Sequence, residues 1–378
     1  MKYEKQPHEY SRRVLLVVMG MTPQIVTETL YKLAVRSTPA FVPTEVHLIT
    51  TKEGANSARP ALLGLHDQSG WFARLCDDYD LHGISFDEEM IHIISDTEGQ
   101  FIDDNQSTEH NRIAADFITD KVRSFTEGDD SALHVSLAGG RKTMSFYAGY
   151  ALSLYGRWQD SLSHILVNEP FQLNKDFFYP RSVAQRLEIN GKYYSTDEAN
   201  IILSDIPFVR MRYGIPEPLL AGKAGFQQTI EAIQRSFEPP RVCVDISRKA
   251  VYLNGQCVKL DDSELALYLW MAKKRVAGSA PLVLDADDFM SEFLEVYGSI
   301  VGNHSGPYER AEAVAKERTH AQQKSQFFLP KKSKLNGKIN GALGKYAARP
   351  FLIQTVEHDG KVAYELGVPA ENIEIIRS

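Results

Sequence analysis

The sequence predicts an α/β protein: a mainly parallel sheet with helices on both faces, followed by a smaller α+β domain with the element order of a winged helix-turn-helix. Three observations carry this. Short β-branched runs alternate with helical stretches through the first half of the chain, which is the pattern of a doubly wound sheet. The alternation stops near residue 175. From about residue 240 the order becomes hairpin, helices, basic helix, hairpin, the order of a winged helix.

The strands come first. "RVLLVVM" (13–19) is short, apolar and closed by a glycine, as a fully buried strand should be. "EVHLITT" (45–51), "IHIISDT" (91–97), "ALHVSLAGG" (132–140) and "LSHILVNEP" (162–170) follow. Helical patterns fill the spaces: "PQIVTETLYKLAVRS" after the first strand, "HNRIAADFITDKVRSF" before the fourth and "KTMSFYAGYALSLYG" after it. In the second of these, Ile113, Ala114, Phe117, Ile118 and Val122 form one apolar stripe. "LEINGKYYSTDE" reads as a hairpin around Asn190-Gly191, and "ILSDIPFVRMRYGIPEPLLAG" as an irregular exit. "FQQTIEAIQRSFEPP" is a helix ended by prolines. Beyond it a hairpin turns at Asn254-Gly255, and a helix capped by Asp262 or Ser263 turns Leu265, Leu267, Tyr268 and Met271 to a core. The basic stretch comes next, and a last hairpin turns at Asp359-Gly360. The expected domains are 12–215, a linker helix within 216–240, and 241–378.

Composition narrows the function classes. The 378 residues carry a net charge of −7, so the chain as a whole is no polyanion binder. Between Arg310 and Arg349, however, ten Lys and Arg face only Glu312 and Glu317, which marks either a nucleic-acid face or a solvated helix surface. Cys76, Cys243 and Cys257 are too few and too scattered for a disulfide framework or a zinc site. They suit a reducing cytoplasm. The N-terminus is polar, and its first apolar run is far shorter than a membrane span. No signal peptide is readable.

Two strand-to-helix corners carry the chemistry. At the first, "VVMGMTPQIVTETL" (17–30), Gly20 ends the strand, Thr22 suits an N-cap and Pro23 the first helical position. A well-capped helix explains this corner. So does an anion cradle, in which helix N–H groups and the side chains of Thr22 and Gln24 donate. At the second, "SLAGGRKTM" (136–144), Gly139 and Gly140 permit close approach, and Arg141, Lys142 and Thr143 stand at a helix start. Cations there oppose the helix dipole unless an anion is close by; a ligand or a surface carboxylate meets that need. Neither corner is a Walker A loop or a G-x-G-x-x-G turn, so no dinucleotide cofactor is expected, and no metal-ligand spacing is visible.

Together "MGMTPQIVTETLY", "LITTKEGANSAR", "SLAGGRKTMSFYAGYAL", "SHILVNEPF" and "IPFVRMR" resemble the CARF domains of CRISPR-associated proteins, and among these the ring nucleases, over roughly residues 12–215. The resemblance implies a Rossmann-like homodimer that clasps a cyclic oligoadenylate, most often of four units, across its two-fold axis. It implies linearisation of the ring without metal or cofactor, switching off type III CRISPR antiviral signalling. Cleavage then needs only a ribose 2′-OH aligned on its own neighbouring phosphorus. Lys142 and then Arg141 are the expected catalytic cations, with Thr22 orienting the hydroxyl or a phosphate oxygen. Gly20, Met21, Pro23, Gln24, Thr51, Lys52, Ser136, Gly139, Gly140, Thr143, Met144 and Asn168 are the expected substrate contacts.

No general base stands out. His92, His134 and His164 sit inside strand patterns and read as core or face residues. His110 lies near a helix start, and Asp96 and Glu98 follow the third strand as ligand contacts or loop caps. The rival function is a ring-responsive DNA-binding regulator, with Lys331, Lys332, Lys334 and Lys338 on phosphates and Asn336 or Asn340 on base edges. A ring-activated ribonuclease with a HEPN tail is disfavoured, because residues 240–378 hold no Arg-x₄₋₆-His spacing.

Overall fold

The structure, a computed structural model, describes residues 5–65, 68–137, 142–222, 225–235, 237–318 and 320–376. The chain forms two compact units, Met1–Arg212 and Tyr213–Ser378.

The first unit contains β1 (Arg12–Val18), α1 (Gln24–Tyr31), β2 (Glu45–Thr50), α2 (Lys52–Ala58), α3 (Trp71–Asp78), β3 (Ile91–Ile93), α4 (Thr108–Phe125), β4 (Ser131–Leu137), α5 (Lys142–Tyr155), β5 (Ser161–Val167) and β6 (Ile201–Asp205). The sheet runs β3-β2-β1-β4-β5-β6. All neighbours are parallel except β6, which pairs antiparallel with β5 through Ile202 opposite Leu166. This is a doubly wound order with the switch between β1 and β4. Alternation along β1 builds both layers. Leu15 and Val17 pack with Val26 and Leu30 of α1 and Leu75 of α3. Val14, Leu16 and Val18 pack with Ala114 and Ile118 of α4 and Ala148 and Leu152 of α5. Burial of each such side chain contributes roughly 1.5–3 kcal/mol.

The expected strands form where the apolar runs stand, although the third is cut to three residues. The stretch read as an irregular exit holds β6, an edge strand whose Ile202 is 47% exposed. The hairpin at 186–195 turns at Asn190 and Gly191, both with positive φ (52° and 73°), as a two-residue I′ turn requires.

At the sheet end away from the helix-starting corners, Arg157 and Asp160 form a buried pair, with Nη2 to Oδ1 at 2.8 Å and side chains 2% and 0% exposed. Asp160 also accepts from the backbone N–H of Leu133. Arg210 donates to the carbonyls of Arg157 and Asp160 and stacks on Phe208. Arg212 donates to the Tyr155 carbonyl. The "IPFVRMR" stretch is therefore a brace across the starts of β4 and β5.

Glu28 is 7% exposed on α1, and burial pushes its carboxyl up from 4.5 to about 8. The folded chain thus keeps a proton that the unfolded chain has released. The contribution of Glu28 to stability is full below about pH 4.5 and is lost as pH rises toward about 8. Glu28→Gln does not titrate. Its stability relative to the parent therefore improves by up to about 1.4 kcal/mol per pH unit across that window. Urea midpoints of both proteins at about pH 5.5 and about pH 8 check this; a constant difference between them defeats it.

In the second unit, α6 (Phe226–Arg235) precedes β7 (Val242–Asp245), β8 (Ala250–Leu253), β9 (Gln256–Val258), α7 (Asp262–Val276), β10 (Leu282–Val283), α8 (Phe289–Val301), α9 (Gly306–Lys316), α10 (Ala321–Leu343), β11 (Ile353–His358), β12 (Lys361–Leu366) and β13 (Ile373–Ile376). One sheet runs β9-β8-β7-β13 and another β10-β12-β11. The hairpins turn at Asn254-Gly255 and Asp359-Gly360, again with positive φ. The cap of α7 is Asp261, one residue earlier than expected: its side chain accepts from Ser263 and Glu264 N–H while Glu264 returns a bond to its backbone.

Candidate functional site

β1 and β4 lie side by side with Val18 opposite Leu137, so both corners leave the sheet at one edge. The strand order reverses between them, and ligands of open α/β sheets bind at that crevice. The Gly20–Gln24 corner stands there. Of the second corner, Lys142, Thr143 and Met144 are described; Gly139, Gly140 and Arg141 lie outside the described residues.

At the first corner α1 begins at Gln24, with Pro23 already helical (φ −67°, ψ −19°) and no side-chain cap. The expected Thr22 cap does not form; Thr22 is exposed, and among the described residues no side chain accepts from the first-turn N–H groups of α1. Gly20 is fixed from the other side. Its carbonyl accepts from Thr50 Oγ1 at 3.2 Å. A Cβ on Gly54 of α2 would come within 2.4 Å of that carbonyl and 2.0 Å of Thr50 Oγ1, so only glycine lets α2 approach.

A cleft of about 380 Å³ opens at this corner. Met21, Thr22, Pro23 and Gln24 form one wall, Ser57 and Ala61 another, and Gln172, Asn174, Lys175 and Phe178 a third. Gln24 Nε2 donates to the Lys175 carbonyl at 2.9 Å, and the Thr27 hydroxyl to that of Phe178 at 2.8 Å. The third wall was not singled out in the sequence. Its signal was available: "NKD" (174–176) between Phe171 and Phe177-Phe178, a few residues beyond the end of β5, marks a polar turn pinned by aromatics.

The other expected contacts divide. Lys142 is exposed at the start of α5. Thr143 beside it accepts from Asn105 Nδ2 at 3.1 Å. Met144 is fully buried in the core, which removes it from reach of a ligand. Ser136 is buried and bonded to Thr29 Oγ1 at 3.1 Å. Thr51 caps α2 through the Gly54 N–H, the N–H groups of Lys52 and Glu53 donate to the carbonyls of Ile102 and Asp103, and the Lys52 amine pairs with Asp103 at 3.0 Å. The start of α2 is thus taken up internally. Asn168 clips β5 to β6: its Oδ1 accepts from the Asn200 N–H at 2.6 Å.

The histidines are held as core and face residues. His134 sits between Ser161 and Ser163 at 2.8 and 2.7 Å, and burial lowers it to about 4. His92 stacks on His47 and is likewise lowered to about 4 by burial. His164 meets the Leu137 carbonyl, and His110 that of Asp104. Asp96 caps its own loop through the N–H groups of Glu98 and Gln100. Among the described residues no group of three or more His, Cys, Asp or Glu has a metal-binding arrangement, and no helix is long and apolar enough to cross a membrane.

The sequence family described as CRISPR-associated protein NE0113 (Cas_NE0113) matches residues 22–239. The chain belongs to this family. No curated protein matches it. Among solved structures it is similar to Enterococcus italicus Csm6 bound to cyclic hexa-2'-fluoro-hexa-dAMP, at 11% identity and a TM-score of 0.25, over 87% of this chain. The chain spans 60% of the length of that Csm6 chain.

The NE0113 match ends before the basic helix α10. There, Lys334 and Lys338 reach Glu264 at 3.0 and 2.5 Å, and Lys334 also reaches Asp261 at 3.1 Å. Asn336 exchanges two bonds with the Ile353 backbone, at 3.0 and 3.1 Å. Lys332 donates to Thr355 and lies over Tyr364, and Lys331 lies over Phe327. Lys331, Lys332, Lys334, Asn336 and Lys338, five of the six candidate DNA-binding residues, thus make side-chain contacts inside their own unit.

Proposed function

We propose that this NE0113-family protein is a CARF-type ring nuclease, a homodimer that binds and linearises a cyclic oligoadenylate, most often cyclic tetra-adenylate, and so switches off type III CRISPR signalling. The observation that carries the reading is the switch-point crevice, where an uncapped helix start at Gln24 and the exposed Lys142 flank the same sheet edge. Membership of a CRISPR-associated family supports it. Phe146 on α5, 58% exposed, supports a subunit contact near that edge.

In this reading the ring supplies its own nucleophile. A ribose 2′-oxygen forms a bond to the neighbouring phosphorus, the bond from phosphorus to the 5′-oxygen breaks, and the proton passes to that leaving oxygen. The products are a 2′,3′-cyclic phosphate and a 5′-hydroxyl. Alignment of an intramolecular attack is worth up to roughly 7–11 kcal/mol. Lys142 and Arg141 balance charge on the phosphoryl oxygens, Thr22 orients the hydroxyl, and the α1 N–H groups bind a phosphate. Incubating the purified protein with rings of three, four and six adenylates in EDTA gives a linear product ending in a 2′,3′-cyclic phosphate. Tight binding without turnover makes the protein a sensor, and no binding of any ring defeats the proposal.

A second reading, a ring-responsive DNA-binding regulator, rests on the second unit. The order α7, β10, α8, α9, α10, β11, β12 with the β10-β12-β11 sheet supports a winged helix within 241–378. The ion pairs of Lys334 and Lys338 count against a DNA face on α10, since phosphates would have to displace Asp261 and Glu264.

A further inference from the structure

We propose that Lys175 is a further phosphate-binding cation of the crevice and that Gln24 is the positioning residue that holds it there. The inference rests on the ring-binding reading and adds to it a residue from a separate chain segment.

Lys175 stands at the tip of a turn whose backbone is fixed from within. The Asn174 N–H donates to the Phe171 carbonyl at 2.9 Å, the Phe177 N–H to the Asn174 carbonyl at 3.3 Å, and the Asp176 N–H to Asn174 Oδ1 at 2.8 Å. Buried aromatics anchor both flanks: Phe171 packs on Phe177, and Phe178 stacks on Trp71 with centroids 4.6 Å apart. The Gln24 amide, 9% exposed, then bonds the carbonyl of Lys175 itself. Its orientation is fixed, because reversing the amide would set two carbonyl oxygens against each other.

The side chain is treated oppositely. Lys175 is exposed, lines the same cleft as Thr22 and has no carboxylate partner among the described residues. An unpaired cation beside the positive end of α1 raises the local potential, and an anion in the cleft relieves it. Because the backbone is already held, binding orders only one side chain.

The test is calorimetric titration of the full chain with cyclic tetra-adenylate at several salt concentrations. Lys175→Ala weakens affinity about tenfold or more and flattens its salt dependence, since one phosphate contact is gone. Lys175→Arg restores both. Gln24→Met keeps the volume but cannot bond the Lys175 carbonyl; it weakens binding on its own and adds nothing on top of Lys175→Ala. Parental affinity and salt dependence in Lys175→Ala overturn the inference and leave ring binding standing. Full additivity of the two changes overturns the role of Gln24. A parent protein that binds no adenylate ring overturns the inference and the ring-nuclease reading together.

Discussion

Alanine at position 142 lowers the single-turnover rate of ring cleavage by about 10²–10³-fold, while ring affinity falls far less. Lys142 is the first residue of α5 and exposed, and it has no ion pair among the described residues. Its charge opposes the helix dipole in the free protein, and in the proposed reaction it is balanced when negative charge grows on a phosphoryl oxygen nearby. An interaction that strengthens toward the transition state appears in the rate rather than in ground-state binding. Lys142→Arg keeps the charge and retains a measurable part of the rate; Lys142→Met behaves as alanine does. Single turnovers with enzyme in excess, in EDTA, separate the chemical step from product release. Because the side chain is exposed, melting temperatures of the variants stay with the parent. A Lys142→Ala protein that cleaves at the parental rate removes this residue from the mechanism.

Asp160→Ala destabilises the protein by about 3–5 kcal/mol. The loss is large because Arg157 would remain charged and buried, 2% exposed, with its principal partner gone. The Leu133 N–H would also lose its acceptor. Replacing both members with apolar residues of similar volume, Arg157→Met with Asp160→Leu, recovers most of the loss. The pair lies at the sheet end opposite the crevice, so the double variant still binds the ring where it folds. Urea unfolding of the parent, the single and the double variant measures the cycle; an Asp160→Ala midpoint equal to the parent's contradicts it.

What the sequence disclosed depended on the range of the interaction. Strand cores and the three two-residue turns are written within a few positions, and Asn190, Asn254 and Asp359 with their glycines adopt the positive φ that their dipeptides imply. β6 was hidden because its identity comes from the partner strand β5, not from alternation in its own residues. Lys334 and Lys338 looked like a basic face because Asp261 and Glu264, which neutralise them, lie some seventy residues earlier in the chain. Met144 belongs to the "GGRKTM" stretch, yet the turn of α5 carries it into the core two residues after Lys142. Lys175 is a related case: the polar turn that carries it is written locally in "NKD" between aromatics, but its place at the cleft follows from Gln24, 151 positions away.

The pinned turn around Lys175 has an implication for substitutions at its tip. Its shape is held by Phe171, Phe177 and Phe178 and by a bond to a main-chain carbonyl, none of which depends on the identity of the side chain at the tip. A change of side chain at position 175 therefore alters the charge presented to the cleft while leaving the shape of the turn in place.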